Sequence, residues 1–84
     1  MPYEIRLTKT ALKDLHKLPP KTARKLKEIL VKQVSEEPRS GKKLVGDLTG
    51  FFSIRLTYKD RIIYSVDEKK KIIYVHRTKT HYGE

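Results

Sequence analysis

Hydrophobic and polar positions alternate near both ends of this chain and follow a longer period in between. Tyr3, Ile5 and Leu7 are separated by charged Glu4 and Arg6, a period of two that predicts a strand over 3–7. Thr8 or Thr10 can then cap a short helix carrying Ala11, Leu12, Leu15 and Leu18 on one face. Pro19-Pro20 ends that helix, and Pro20 suits the first turn of the next, where its missing N–H has no partner to lose. The second helix is expected to run to about Glu36. Ala23, Leu26, Ile29, Leu30 and Val34 form its apolar stripe, and Lys21, Arg24, Lys25, Lys27 and Lys32 its solvent side. Pro38 and Gly41 lead into a loop, SGKKLVGDLTG.

The second half turns β in character. FFSIRLTY (51–58), RIIYSV (61–66) and KIIYVHR (71–77) are rich in β-branched and aromatic residues, with short polar turns between them. They predict an antiparallel meander. The expected fold class is α+β, one domain over 1–84, in the order β-α-α-β-β-β. A helical hairpin packs on one face of a mostly antiparallel four-stranded sheet. Alternation assigns Phe52, Ile54, Leu56, Ile62, Tyr64 and Val66 to the helix-facing side. Phe51, Ser53, Arg55, Thr57, Arg61, Ile63 and Ser65 fall on the other. With the turn centred on Tyr58 to Asp60, Thr57 stands opposite Arg61, and Arg55 and Arg61 are diagonal neighbours. Two guanidinium groups so close repel unless an anion visits them. Tyr58, Tyr64 and Tyr74 read as core or sheet-packing residues.

Composition sharpens this picture through charge. Twenty Lys and Arg against ten Asp and Glu give +10 at pH 7 on 84 residues, a field that draws polyanions, with nucleic acid ahead of an acidic protein. Hydrophobic residues, 37% of the chain, suffice for one core. Cysteine is absent, which excludes disulfides and thiolate metal sites. The first residues hold no apolar run of signal-peptide or membrane-span length, so the expected location is cytoplasmic, with no membrane partner. His76 and His81 lack acidic or thiol companions in the sequence, so no metal is expected. His16 reads as a surface residue. SGKKLVGDLTG lacks the spacing of a phosphate loop, and no serine triad is evident.

Arg55, Arg61, His81 and Tyr82 are a different matter. Histidine moves protons near neutral pH, arginine grips two phosphate oxygens at once, and tyrosine stacks on an unpaired base. These are the parts of metal-free RNA cleavage, although a basic solvated tail has the same composition.

The N-terminal strand, LKDLHKLPPKTARKLKEIL, LTGFFSIRL, DRIIYSV and the closing HY, taken in order, resemble a RelE/ParE-superfamily toxin of a type II toxin–antitoxin system. The resemblance covers essentially the whole chain and is nearest the RelE and YoeB branch. It implies a ribosome-dependent endoribonuclease (an mRNA interferase) that cuts mRNA in the A site by 2′-hydroxyl attack. It implies a cognate antitoxin, the ribosome and mRNA as partners, and no cofactor. On this resemblance Arg61 supports the scissile phosphate, His81 transfers a proton and Tyr82 positions the nucleotide. Arg55 matches one of two basic residues on the corresponding RelE strand, and the other falls on Ser53. Lys42 stands where YoeB toxins carry a glutamate proposed as general base, and Asp47 and Glu37 fall off that register. RelE works without such a carboxylate, so Lys42, Lys79 or a water is left to deprotonate the hydroxyl. Lys42, Lys43, Arg55, Arg77 and Lys79 are the candidate RNA- and phosphate-binding residues. Two alternatives stay open: a ParE-like DNA gyrase inhibitor of the same fold, and a non-catalytic RNA-binding relative.

Overall fold

The structure, a computed structural model, describes residues 2–79. Strand β1 (Glu4–Leu7) leads through Thr8 into helix α1 (Lys9–Lys17), and the Thr8 hydroxyl caps it by accepting the Ala11 N–H at 3.2 Å. Pro19-Pro20 separates α1 from α2 (Pro20–Glu28), with Pro20 in the opening turn. The helical run continues as a wider π turn over Ile29–Val34, where the Ser35 N–H reaches back to the Leu30 carbonyl at 2.9 Å. Leu26, Leu30 and Val34 are buried, as the helical period predicts, with Ala23 and Ile29 packed beside them.

Strands β3 (Phe51–Arg55), β4 (Arg61–Asp67) and β5 (Ile72–Arg77) form the expected antiparallel meander. Among the described residues the sheet has five strands, one more than predicted, in the order β1-β5-β4-β3-β2. The extra strand, β2, is the pair Lys42–Lys43 on the outer edge of β3; two exposed lysines have no apolar alternation to announce them. β1 pairs with β5 in parallel and closes the opposite edge. A 3-10 turn, Gly46–Leu48, links β2 to β3.

The core lies between the helices and one sheet face. Phe52, Leu56, Ile62, Tyr64, Ile73 and Val75 meet Ala11, Leu18, Leu26, Leu30 and Val34 there, with Ile54 and Val66 packed at the margin. Phe52 and Tyr64 stack with ring centroids 5.3 Å apart. Burial pushes the Tyr64 phenol above its ordinary range, and the bond from Gly41 only partly opposes this. Leu12, expected in the core, is 46% exposed, and Asp14 takes a buried place on α1 instead. Tyr58 is likewise no packing residue: it stands 87% exposed in the turn after β3.

That turn also closes differently from expectation. The Leu56 and Thr57 N–H groups both donate to the Asp60 carbonyl, and the Thr57 hydroxyl accepts the Asp60 N–H at 3.0 Å. Pairing therefore places Arg55, not Thr57, opposite Arg61. The register moves by two residues. An even slip leaves every side chain on its predicted face.

Candidate nucleic-acid interface

The sheet face turned away from the helices carries the chemistry. Residues directly paired across a sheet share a face, so the register lays out its rungs. Arg55 faces Arg61, Ser53 faces Ile63, and Phe51 faces Ser65. Lys42 pairs with Ser53, which brings a lysine to the rung where β3 itself has no charge. Arg55 is exposed, Arg61 half-buried, and among the described residues neither forms an ion pair. Directly opposed strand residues have Cβ atoms about 5 Å apart, so the two guanidinium groups rise together from one patch, closer than the diagonal placement expected from the sequence.

His76 lies on this face at an irregularity in the ladder. Ile63 pairs with Arg77 and Tyr64 with Val75, so β5 holds one residue more than β4 at that point, and His76 is the extra one. Its ring stacks on Phe51, centroids 4.8 Å apart at 18°, and Nε2 lies 2.8 Å from the Ser65 hydroxyl. Burial lowers the imidazole below the ordinary histidine range, favouring the neutral ring. Sequence reading weighed His76 only as a metal ligand. Its position in VHR gave a detectable hint, since a strand histidine in alternation with Tyr74 points to the helix-free face, but Phe51 and Ser65 are distant in the chain.

Other predicted residues fall elsewhere. Arg77 is turned to α1, where its Nε donates to Asp14 Oδ2 at 2.7 Å and its Nη2 to Oδ1 at 3.3 Å. Thr78 and Lys79 N–H groups donate to the same carboxylate, and the Thr78 hydroxyl donates to the Ala11 carbonyl at 3.0 Å. Burial raises the Asp14 carboxyl, but the bonds from Arg77, Thr78 and Lys79 outweigh it, and the group is held below its usual range. Arg77 is thus engaged as an anchor for the end of β5. Lys43 pairs with Phe52 and belongs, by register, to the opposite side of the edge strand from Lys42. Lys79 is half-buried beside that anchor. Asp47 is exposed in the 3-10 turn, and Glu37 borders a cleft with Tyr3, Pro38 and Arg39, neither on the arginine-bearing face. His81 and Tyr82 lie outside the described residues. Among the described residues no group of three His, Cys, Asp or Glu could hold a metal ion, and no helix is long and apolar enough to cross a membrane.

A helix pair backing a five-stranded sheet, whose helix-free face gathers Lys42, Arg55, Arg61 and an imidazole, defines a small basic α+β protein. The family model for the ParE toxin of the type II toxin–antitoxin system parDE matches residues 5–81. The chain is 42% identical over 79 residues to Toxin RelG of Mycobacterium tuberculosis, spanning 92% of this chain and 88% of that protein. The toxin–antitoxin complex RelBE2 from Mycobacterium tuberculosis superposes with a TM-score of 0.85 at 37% identity, covering 95% of this chain and 99% of that one. The YoeB dimer from Staphylococcus aureus gives 0.80 at 28% identity, covering 98% and 100%. The chain belongs to the RelE/ParE superfamily of type II toxins.

Proposed function

We propose that this toxin is a ribosome-dependent endoribonuclease that cuts mRNA in the A site, and that a cognate antitoxin neutralises it by covering the open sheet face. The observation that carries this reading is the direct opposition of Arg55 and Arg61, with Lys42 one rung away. Three cations on one surface cost self-repulsion unless an anion occupies it, and a phosphodiester fits the bidentate guanidinium geometry. Arg61, with Arg55, holds the scissile phosphate. The 2′-hydroxyl loses its proton and attacks phosphorus, the bond to the 5′-oxygen breaks, and His81 returns a proton to that oxygen. Tyr82 holds the nucleotide in place. The products are a 2′,3′-cyclic phosphate and a 5′-hydroxyl. Guanidinium contacts act on the charge that builds on the phosphorane oxygens, where preorganised donors matter most.

The antitoxin follows from the same surface, since an acidic segment complements the +10 charge. The named structural relative RelBE2 is itself a toxin–antitoxin complex, which supports this part of the reading.

Mapping transcript 5′ ends after brief expression tests the proposal. Cuts within translated codons are expected. Arg61→Ala should slow cleavage by about 10²–10³-fold, and His81→Gln should abolish growth arrest. DNA damage without transcript cuts would support gyrase inhibition instead, and neither effect would leave a non-catalytic RNA-binding relative.

A further inference from the structure

We propose that His76 is the general base of this toxin, the group that takes the proton from the attacking 2′-hydroxyl. The inference rests on the RNA-cleaving reading above and fills the one role for which Lys42, Lys79 and water were the candidates. Three placements carry it. Alternation from Tyr74, which pairs with Ser65, puts His76 on the face that bears Arg55 and Arg61. Ser65 and Phe51 then fix the ring, one by a 2.8 Å contact to Nε2 and the other by stacking. Among the described residues Nδ1 has no hydrogen-bond partner.

With Nε2–H donated to the Ser65 hydroxyl, the Nδ1 lone pair is the proton acceptor. This is a base oriented by a second side chain, as proton-transfer sites require. Ser65 and Arg61 are four residues apart on β4, about 13 Å along the strand. An extended arginine, two hydrogen bonds of about 3 Å and the phosphate–ribose unit between them span such a gap. Proton balance is simple: the 2′-hydroxyl proton moves to Nδ1, and the imidazolium releases it to solvent after the 5′-hydroxyl product departs.

The charged and titratable groups sharing the face are Arg55 on β3, Arg61 and Asp67 on β4, Tyr74 on β5, Arg6 and its ion-pair partner Glu4 on β1, and Lys42 on β2. Most are cationic and disfavour a second positive charge. The burial of the ring acts in the same direction. The base is therefore neutral and competent at neutral pH, and the acid limb of the cleavage profile falls below the ordinary histidine range.

The test is single-turnover cleavage of mRNA on programmed ribosomes by the purified full-length chain, from about pH 5 to about pH 9. Wild type should show a bell-shaped profile, with an acid limb from the base and a basic limb from the proton donor. His76→Gln should lower the maximum by about 10²–10⁴-fold and abolish the acid limb, and added imidazole should partly restore His76→Gly. Ser65→Ala keeps the ring but frees its orientation, so it should slow cleavage by about tenfold with the acid limb retained.

A His76→Gln rate within about threefold of wild type with the same acid limb would overturn the inference and leave the RNA-cleaving reading intact. So would a uniform loss at every pH without imidazole rescue, which marks a packing role. If the His76 variants do not melt cooperatively, Ser65→Ala decides: an unchanged rate overturns the assignment. Wild type that cuts nothing on ribosomes defeats the RNA-cleaving reading, and this one with it.

Discussion

Asp14 occupies a buried place on a helix whose flanking residues are mostly lysine, threonine and leucine, and its four hydrogen bonds explain why. The carboxylate ties the end of β5 to α1 by accepting from Arg77, Thr78 and Lys79. Removing it leaves those donors without their partner. Asp14→Ala should cost about 2–3 kcal/mol, below the range for fully buried pairs because the Arg77 guanidinium keeps contact with water. Urea denaturation measures this directly. The folded carboxyl titrates below its unfolded value of about 3.9. Its contribution is therefore complete above that value and is lost as pH falls through the lower folded one. Asp14→Asn should flatten that part of the acid-denaturation curve and lower stability near neutral pH. None of this was legible in LKDLHKL, because the partner lies more than sixty residues away.

At the level of elements, the loop into β2 is held by a close approach. Gly41 donates its N–H to the Tyr64 hydroxyl at 3.0 Å, and that hydroxyl donates to the Pro38 carbonyl at 2.9 Å. A Cβ at residue 41 would fall 2.6 Å from the Tyr64 oxygen and 3.1 Å from the Ser53 carbonyl. Gly41→Ala should cost about 1–3 kcal/mol through forced displacement of the loop. It should also move Lys42 away from the rung it shares with Ser53. Thermal melting checks the first effect, and amide exchange of β2 and β3 checks the second. The helix stripe and strand alternation had placed most of the core correctly, from Leu26, Leu30 and Val34 to Phe52, Ile62 and Tyr64. Leu12 departed from this pattern because α1 is short and its buried side is shared with the Asp14 anchor.

Across the whole molecule the +10 charge is spread over two sides that differ in use. Lys21, Arg24, Lys25, Lys27 and Lys32 coat the outside of the helices, while Lys42, Arg55 and Arg61 stand on the free sheet face. If RNA meets the sheet, its affinity for a short single strand should fall with salt by a slope of about −0.7 per phosphate contacted. Lys42→Ala should then reduce that slope by about 0.7, and Lys25→Ala should leave it unchanged. Fluorescence anisotropy at several salt concentrations distinguishes the two. Equal losses from both variants would mean diffuse attraction without a docking face.

Local periodicity by itself determined most of the element types, the two faces of the sheet and the identity of most core residues, and composition the basic character of the surface. Each of these depends only on which residues are present and which neighbour one another in sequence, and a two-residue slip preserves them all. Tertiary structure alone decided which side chains stand together: Arg55 opposite Arg61, Lys42 beside Ser53, Arg77 on Asp14, and His76 between Phe51 and Ser65. Those partnerships hang on how one turn closes and where one strand takes in an extra residue. Both are set by long-range packing and backbone hydrogen bonds that no window of sequence contains.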